Sequence, residues 1–106
     1  MSKPRIRVPS QARKGDIIEI KTLVSHPMET GHRRDGWGQL IPRHIIHTFT
    51  CTYNGAEVFR AEWHPAMAAN PYLAFYTVAT ESGRLRFEWV DDDGSMYATE
   101  ADITVV

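Results

Sequence analysis

In Arg84-Leu85-Arg86-Phe87-Glu88-Trp89 every second residue is apolar and the residues between are charged. Such a chain can bury Leu85, Phe87 and Trp89 on one side only as an extended strand, because a helix would scatter them around its axis. The same period of two recurs along the sequence. Residues 57–64 place Phe59, Ala61 and Trp63 on one face, and residues 45–53 set Phe49, Cys51 and Tyr53 against Thr48, Thr50 and Thr52. Residues 16–24, 72–79 and 97–105 read as further strands, the last burying Tyr97, Ala101, Ile103 and Val105, with residues 5–8 as a short edge piece. No stretch holds a helical period of any length.

Turn chemistry agrees with that count. Asn54-Gly55 lies between two alternating runs and marks a hairpin, since both central residues of such a turn must accept positive φ. Ser82-Gly83 and Asp93-Gly94 mark two more reversals. About seven short strands at this spacing predict an all-β, immunoglobulin-like sandwich of two antiparallel sheets, with a small closed barrel as the alternative.

At 106 residues there is room for one core, and no linker, repeat or low-complexity tract divides residues 1–106. The net charge of -1 points to neither nucleic acid nor an anionic membrane. The charge is uneven: Lys3, Arg5, Arg7, Arg13 and Lys14 precede the first acid, whereas residues 81–102 hold seven acids against Arg84 and Arg86. A solvated first strand and turn accounts for the basic end. No window approaches a membrane span, and residues 1–7 lack the apolar stretch of a signal peptide.

Cys51 is the one nucleophile candidate. A reactive thiol needs exposure and a nearby positive charge, but parity puts Cys51 on the inward face beside Phe49 and Tyr53, where a free cysteine packs as a small hydrophobe. The five histidines, His26, His32, His44, His47 and His64, raise the question of metal. His44 and His47 point to opposite faces of a strand, and no Cys-x-x-Cys, Cys-x-x-His or His-x-His spacing occurs. Asp91-Asp92-Asp93-Gly94 with Glu100 imitates part of a calcium loop, but Trp89 falls where its first acid belongs and the flanks are strands. No phosphate loop or nucleophile elbow is present. The residues thus predict no catalytic site, no metal and no cofactor.

Two stretches do not read as strands. Residues 28–44 contain Gly31, Gly36, Gly38 and Pro42 with Trp37 near a loop tip, and residues 64–71 set Pro65 and Pro71 around a short helical turn. Long structured loops on a rigid scaffold commonly carry binding. Residues 25–44 and 64–72 are therefore the expected contact surface, with Met28, Trp37, Met67 and Pro71 as its candidate partner-interface residues.

Residues 25–31 (Ser-His-Pro-Met-Glu-Thr-Gly), 49–55 (Phe-Thr-Cys-Thr-Tyr-Asn-Gly), 69–73 (Ala-Asn-Pro-Tyr-Leu) and 91–95 (Asp-Asp-Asp-Gly-Ser) resemble the SoxZ family in order and spacing, and the likeness runs from about Pro4 to Val105. SoxZ is one subunit of the SoxYZ carrier complex of bacterial thiosulfate oxidation. The resemblance implies a sandwich that forms a heterodimer with SoxY, on whose Gly-rich C-terminal tail a cysteine carries covalent sulfur intermediates. Residues 102–106, Asp-Ile-Thr-Val-Val, show no such tail, so the chain is similar to the non-catalytic subunit. The resemblance further implies the periplasm, reached by co-export with the partner, and transient contact with other enzymes of the pathway. Two other readings remain open on the residues: a superoxide-reductase-like iron protein, whose immunoglobulin-like site uses four histidines and one cysteine, and an accessory module of a secreted enzyme.

Overall fold

A computed structural model describes residues 4–63 and 69–106. They form eight strands: β1 (Pro4–Arg7), β2 (Gln11–Ala12), β3 (Ile17–Val24), β4 (Ile46–Tyr53), β5 (Ala56–Glu62), β6 (Tyr72–Val78), β7 (Gly83–Asp91) and β8 (Met96–Val105). β1, β3 and β6 make a three-stranded sheet in the order β1-β3-β6, and the rest make a five-stranded sheet in the order β2-β8-β7-β4-β5. This is the expected immunoglobulin-like sandwich. The eighth strand is β2, which pairs parallel to the end of β8. Two residues are too short to carry an alternation signal, so only the buried Ala12 betrays it.

The alternating residues fill the space between the sheets. Leu85, Phe87 and Trp89 of β7 and Phe49 and Cys51 of β4 are wholly buried. Phe49 is the hub, with ring centroids 5.1 Å from Trp89, 5.9 Å from Phe75 of the opposite sheet and 6.1 Å from Trp63. Phe59 and Phe75 stack at 4.4 Å and close the sandwich between β5 and β6. Each large side chain buried there contributes about 2–3 kcal/mol by leaving water.

Two bulges correct the strict period. Cys51 pairs with Phe59 but Thr52 with Glu57, which leaves Val58 as an extra residue pushed outward. Ile46 pairs with Asp91 but Thr48 with Val90, which makes His47 extra. That second bulge lets Ile46 and Phe49 both point inward although they stand three apart.

The register decides which loops meet. The pairing of β3 with β6 ends at Leu23 opposite Tyr72, the start of β6, while Ile46 at the start of β4 faces Asp91 at the end of β7. The segment after β3, the segment before β6 and the β7–β8 turn therefore gather at one end of the sandwich. Asn54-Gly55 and Ser82-Gly83 lie at the other.

Candidate functional site

The inward parity of β3 does not stop with the strand. Ile18, Ile20, Thr22 and Val24 are buried, and so are His26 and Met28 beyond them. Asn70 holds the segment down: its Oδ1 accepts from the His26 N–H at 2.9 Å, and its own N–H donates to the His26 carbonyl at 2.7 Å. Met28 then turns the chain with φ 52, a conformation that costs an L-residue about 1 kcal/mol. Three contacts fix it there: its N–H donates to His26 Nδ1 at 3.0 Å, its Sδ accepts from the Ile46 N–H at 3.3 Å, and its side chain is buried. Glu29 and His44 next exchange both backbone hydrogen bonds, and Gly31, at φ 86, passes so close to Arg43 that an added Cβ would stand 3.1 Å from the Arg43 Cβ.

At the centre of this end is the carboxylate of Asp91, only 1% exposed. Its Oδ1 accepts from the N–H groups of Ser95 (3.1 Å) and Asp93 (3.3 Å), forming the β7–β8 turn. Its Oδ2 accepts from the Tyr97 hydroxyl at 2.6 Å and lies 3.1 Å from His44 Nε2. His26 Nε2 stands 3.4 Å from the same oxygen, an electrostatic contact that leaves the nitrogen without a hydrogen-bond partner. Beside it Arg43 grips Asp92 through two bonds of 2.8 Å, and Asp92 also accepts from the Ile45 N–H. A buried carboxylate with this many donors is a clasp between loops.

The ligand atoms of His26, His44 and Asp91 lie within 4.8 Å of one another, the spacing of a metal site. The chemistry of His26 argues against one. A metal-bound imidazole normally donates its other ring N–H to an acceptor, whereas here Nδ1 itself accepts from Met28 N–H. The neutral ring must therefore carry its proton on Nε2, facing Asp91. A cation at Nε2 would displace that proton and leave both ring nitrogens bare. These residues do not fit an iron centre. Burial also lowers the His26 pKa from its ordinary value, with the Asp91 contact opposing the shift.

Cys51 takes no part in that grouping. It is fully buried, as its parity predicted, and burial pushes its thiol up to about 12. His47 hydrogen-bonds Thr48 instead of converging with His44. His32 is exposed, and His64 lies outside the described residues.

The four expected interface residues differ. Trp37 is 90% exposed, at the tip of a small hairpin in which Asp35 Oδ1 accepts from the N–H groups of Trp37 (2.8 Å) and Gln39 (3.1 Å). Met28 and Pro71 are buried within this chain, so they shape the loops and offer no contact surface of their own. Met67 lies outside the described residues. Asp91, His26 and Tyr97, the residues that hold this end together, were not singled out for that role. The signal was present in the parity: continuing β3 past Val24 reaches His26, and continuing β7 past Trp89 reaches Asp91.

Residues 6–102 match the family described as "Sulphur oxidation protein SoxZ". No curated protein matches the chain. Among solved structures it is similar to the superoxide reductase (neelaredoxin) from Ignicoccus hospitalis, with a TM-score of 0.75 at 18% identity, over 97% of this chain and 80% of that one. It is also similar to the sulfur carrier protein SoxY from Chlorobium limicola f thiosulfatophilum, with a TM-score of 0.67 at 13% identity, over 97% of this chain and 78% of that one. At such identities these structures show a shared sandwich fold and carry nothing about chemistry.

Proposed function

The chain belongs to the SoxZ family of sulphur oxidation proteins, and on that premise we propose that it is the non-catalytic, partner-binding subunit of a SoxYZ-type sulfur carrier in thiosulfate oxidation. The observation that carries the reading is the family match across residues 6–102. On this reading the chain forms a heterodimer with a SoxY-type subunit in the periplasm, and the sulfur intermediates ride on the partner's C-terminal cysteine. The state of Cys51 supports this division of labour. A thiol with its pKa pushed up to about 12 and no exposed surface is a poor nucleophile and cannot present a covalent adduct to other enzymes.

The end of the sandwich clasped by Asp91 supplies a rigid platform for transient contacts with the other enzymes of the pathway. Trp37 is its anchor: an indole held out in solvent on a hydrogen-bonded hairpin has the profile of an interface hot spot. The superoxide-reductase reading shares the fold but meets the wrong histidine tautomer at His26.

Recovery of the tagged chain from its native source, with intact-mass measurement of its companion, tests the reading. A companion bearing a sulfur-modified C-terminal cysteine is expected. A chain recovered alone, or one that binds stoichiometric iron, overturns it.

A further inference from the structure

The two outward faces of the sandwich are chemically unlike. On the five-stranded sheet the outward residues are mostly polar, and their charges are matched in place. Arg60 meets Glu57 at 2.9 Å, Arg84 meets Asp102 at 3.0 Å, and Arg86 meets Glu88 at 2.7 Å and Glu100 at 3.6 Å. That face is complete in water.

On the three-stranded sheet, Ile17 (74% exposed), Tyr76 (64%) and Tyr72 (56%) face solvent together with Leu23 and Val78. Register makes them one band, because Ile17 pairs with Val78 and Leu23 with Tyr72, with the Glu19–Tyr76 pair between. Their combined exposure is roughly 500 Å², at the upper end of what a monomer leaves uncovered. Glu19 is the one acid among the outward residues of this sheet, and it is already engaged by the Tyr76 hydroxyl at 3.0 Å and by Lys21 at 3.6 Å. Arg5 and Arg7 of β1 sit opposite Leu23 and Lys21 and have no acidic partner among the described residues. With Lys21, Leu23 and Tyr72 they line a groove of about 220 Å³.

We propose that this face is the docking surface for the sulfur-carrying partner subunit, which meets it with apolar side chains flanked by carboxylates. The inference rests on the pairing reading above and deepens it by assigning the partner to a sheet face, which leaves the Trp37 end free for other enzymes. Charge argues for such a partner, since Arg5 and Arg7 are cations with no carboxylate to neutralise them among the described residues. Size agrees: the apolar band with its cationic rim approaches the roughly 800 Å² per subunit of a standard interface. A second copy of this chain would bring the same unpaired arginines and only the engaged Glu19 to meet them.

The test is co-expression of the chain with the SoxY-type subunit of the same source, followed by co-purification and gel filtration. Tyr76→Glu and Ile17→Lys alter exposed side chains of the band. Thr50→Lys and Ala98→Lys place charges on the opposite face as controls, and circular dichroism with thermal melting establishes that each variant is folded. The expected result is at least about a tenfold loss of pairing affinity in both band variants and none in the controls. The double variant Arg5→Glu, Arg7→Glu is expected to weaken pairing and flatten its salt dependence. Pairing unchanged in the folded band variants overturns the docking surface while the pairing reading stands. Failure of the unmodified chain to pair overturns both. A dimer of the unmodified chain alone that Tyr76→Glu dissociates assigns the face to a second copy and overturns the proposal.

Discussion

His26 Nε2 and Asp91 Oδ2 stand 3.4 Å apart with both side chains closed off from solvent. His26 extends the parity of β3 beyond its end and Asp91 is the last residue of β7, so the contact joins the loop after a strand of one sheet to the end of a strand in the other. Tyr97 and His44 converge on the same carboxylate oxygen, which makes Asp91 the shared acceptor for three segments of chain.

Replacing Asp91 by Ala is therefore expected to be among the more costly single changes. It removes the carboxylate that accepts from the Tyr97 hydroxyl and the Asp93 N–H, together with the charge that faces the buried His26 ring, and the loss of buried partners on this scale costs about 3–5 kcal/mol. Asp91→Asn keeps one carbonyl oxygen for the turn and is expected to lose less. Urea denaturation of both variants measures the difference, and equal losses would show that the charge alone matters.

The buried His26 gives stability a specific pH dependence. Its folded pKa lies below the ordinary 6.5, because burial penalises the charged ring; His44 adds to that penalty, while Asp91 and Asp93 oppose it. Between the two values the unfolded chain binds a proton that the folded chain does not, so stability rises with pH. It is lost as pH falls below about 6.5 toward the folded pKa, with a slope of at most about 1.4 kcal/mol per pH unit from this group. Denaturation at several pH values between 5 and 7 is expected to show that slope, and His26→Gln to reduce it. An identical slope in the variant removes His26 as the cause.

Most of the sandwich was legible because its strands bury one face and expose the other, which writes period two directly into residues such as Leu85, Phe87 and Trp89. What escaped the period was short or bulged. β2 has two residues, and the extra His47 in β4 resets the parity between Ile46 and Phe49. The candidate end was legible as loops but not as a clasp. Asp91 reads as one acid in an acidic turn until the register of β7 against β4 carries it inside. Met28 shows the converse, since an apolar residue in a Gly-rich loop suggests contact surface, while its Sδ is taken by the backbone of Ile46.

Cys51 is expected to resist thiol reagents in the folded chain at pH 8. Its side chain is fully buried and its pKa is pushed up to about 12, so both access and thiolate are missing. Labelling followed by intact mass should show modification only once denaturant opens the core. Stoichiometric labelling of the native chain would mean that β4 opens locally at far lower cost than its place beside Phe49 implies.

The hairpin end offers a test of coupling between two turns. Asn54 and Gly55 adopt φ 49 and 86, the turn that their sequence predicted. The Asn54 side chain then folds over the neighbouring reversal, with Oδ1 accepting from the Arg84 N–H at 2.9 Å and Nδ2 donating to Glu81 Oε1 at 3.1 Å. Gly83 is the residue that leaves room for it, because a Cβ there would stand 1.8 Å from Asn54 Oδ1. Gly83→Ala must therefore expel the Asn54 side chain and is expected to cost about 2–3 kcal/mol through clash and lost hydrogen bonds. Asn54→Ala loses the same bonds without the clash, at about 1–2 kcal/mol. In the double variant the clash is gone and the bonds are lost only once. The two costs should fall short of adding by about 1 kcal/mol or more. Urea denaturation of the four chains in this cycle measures the shortfall. Simple additivity would show that Gly83 is needed for its own backbone and not for the side chain it accommodates.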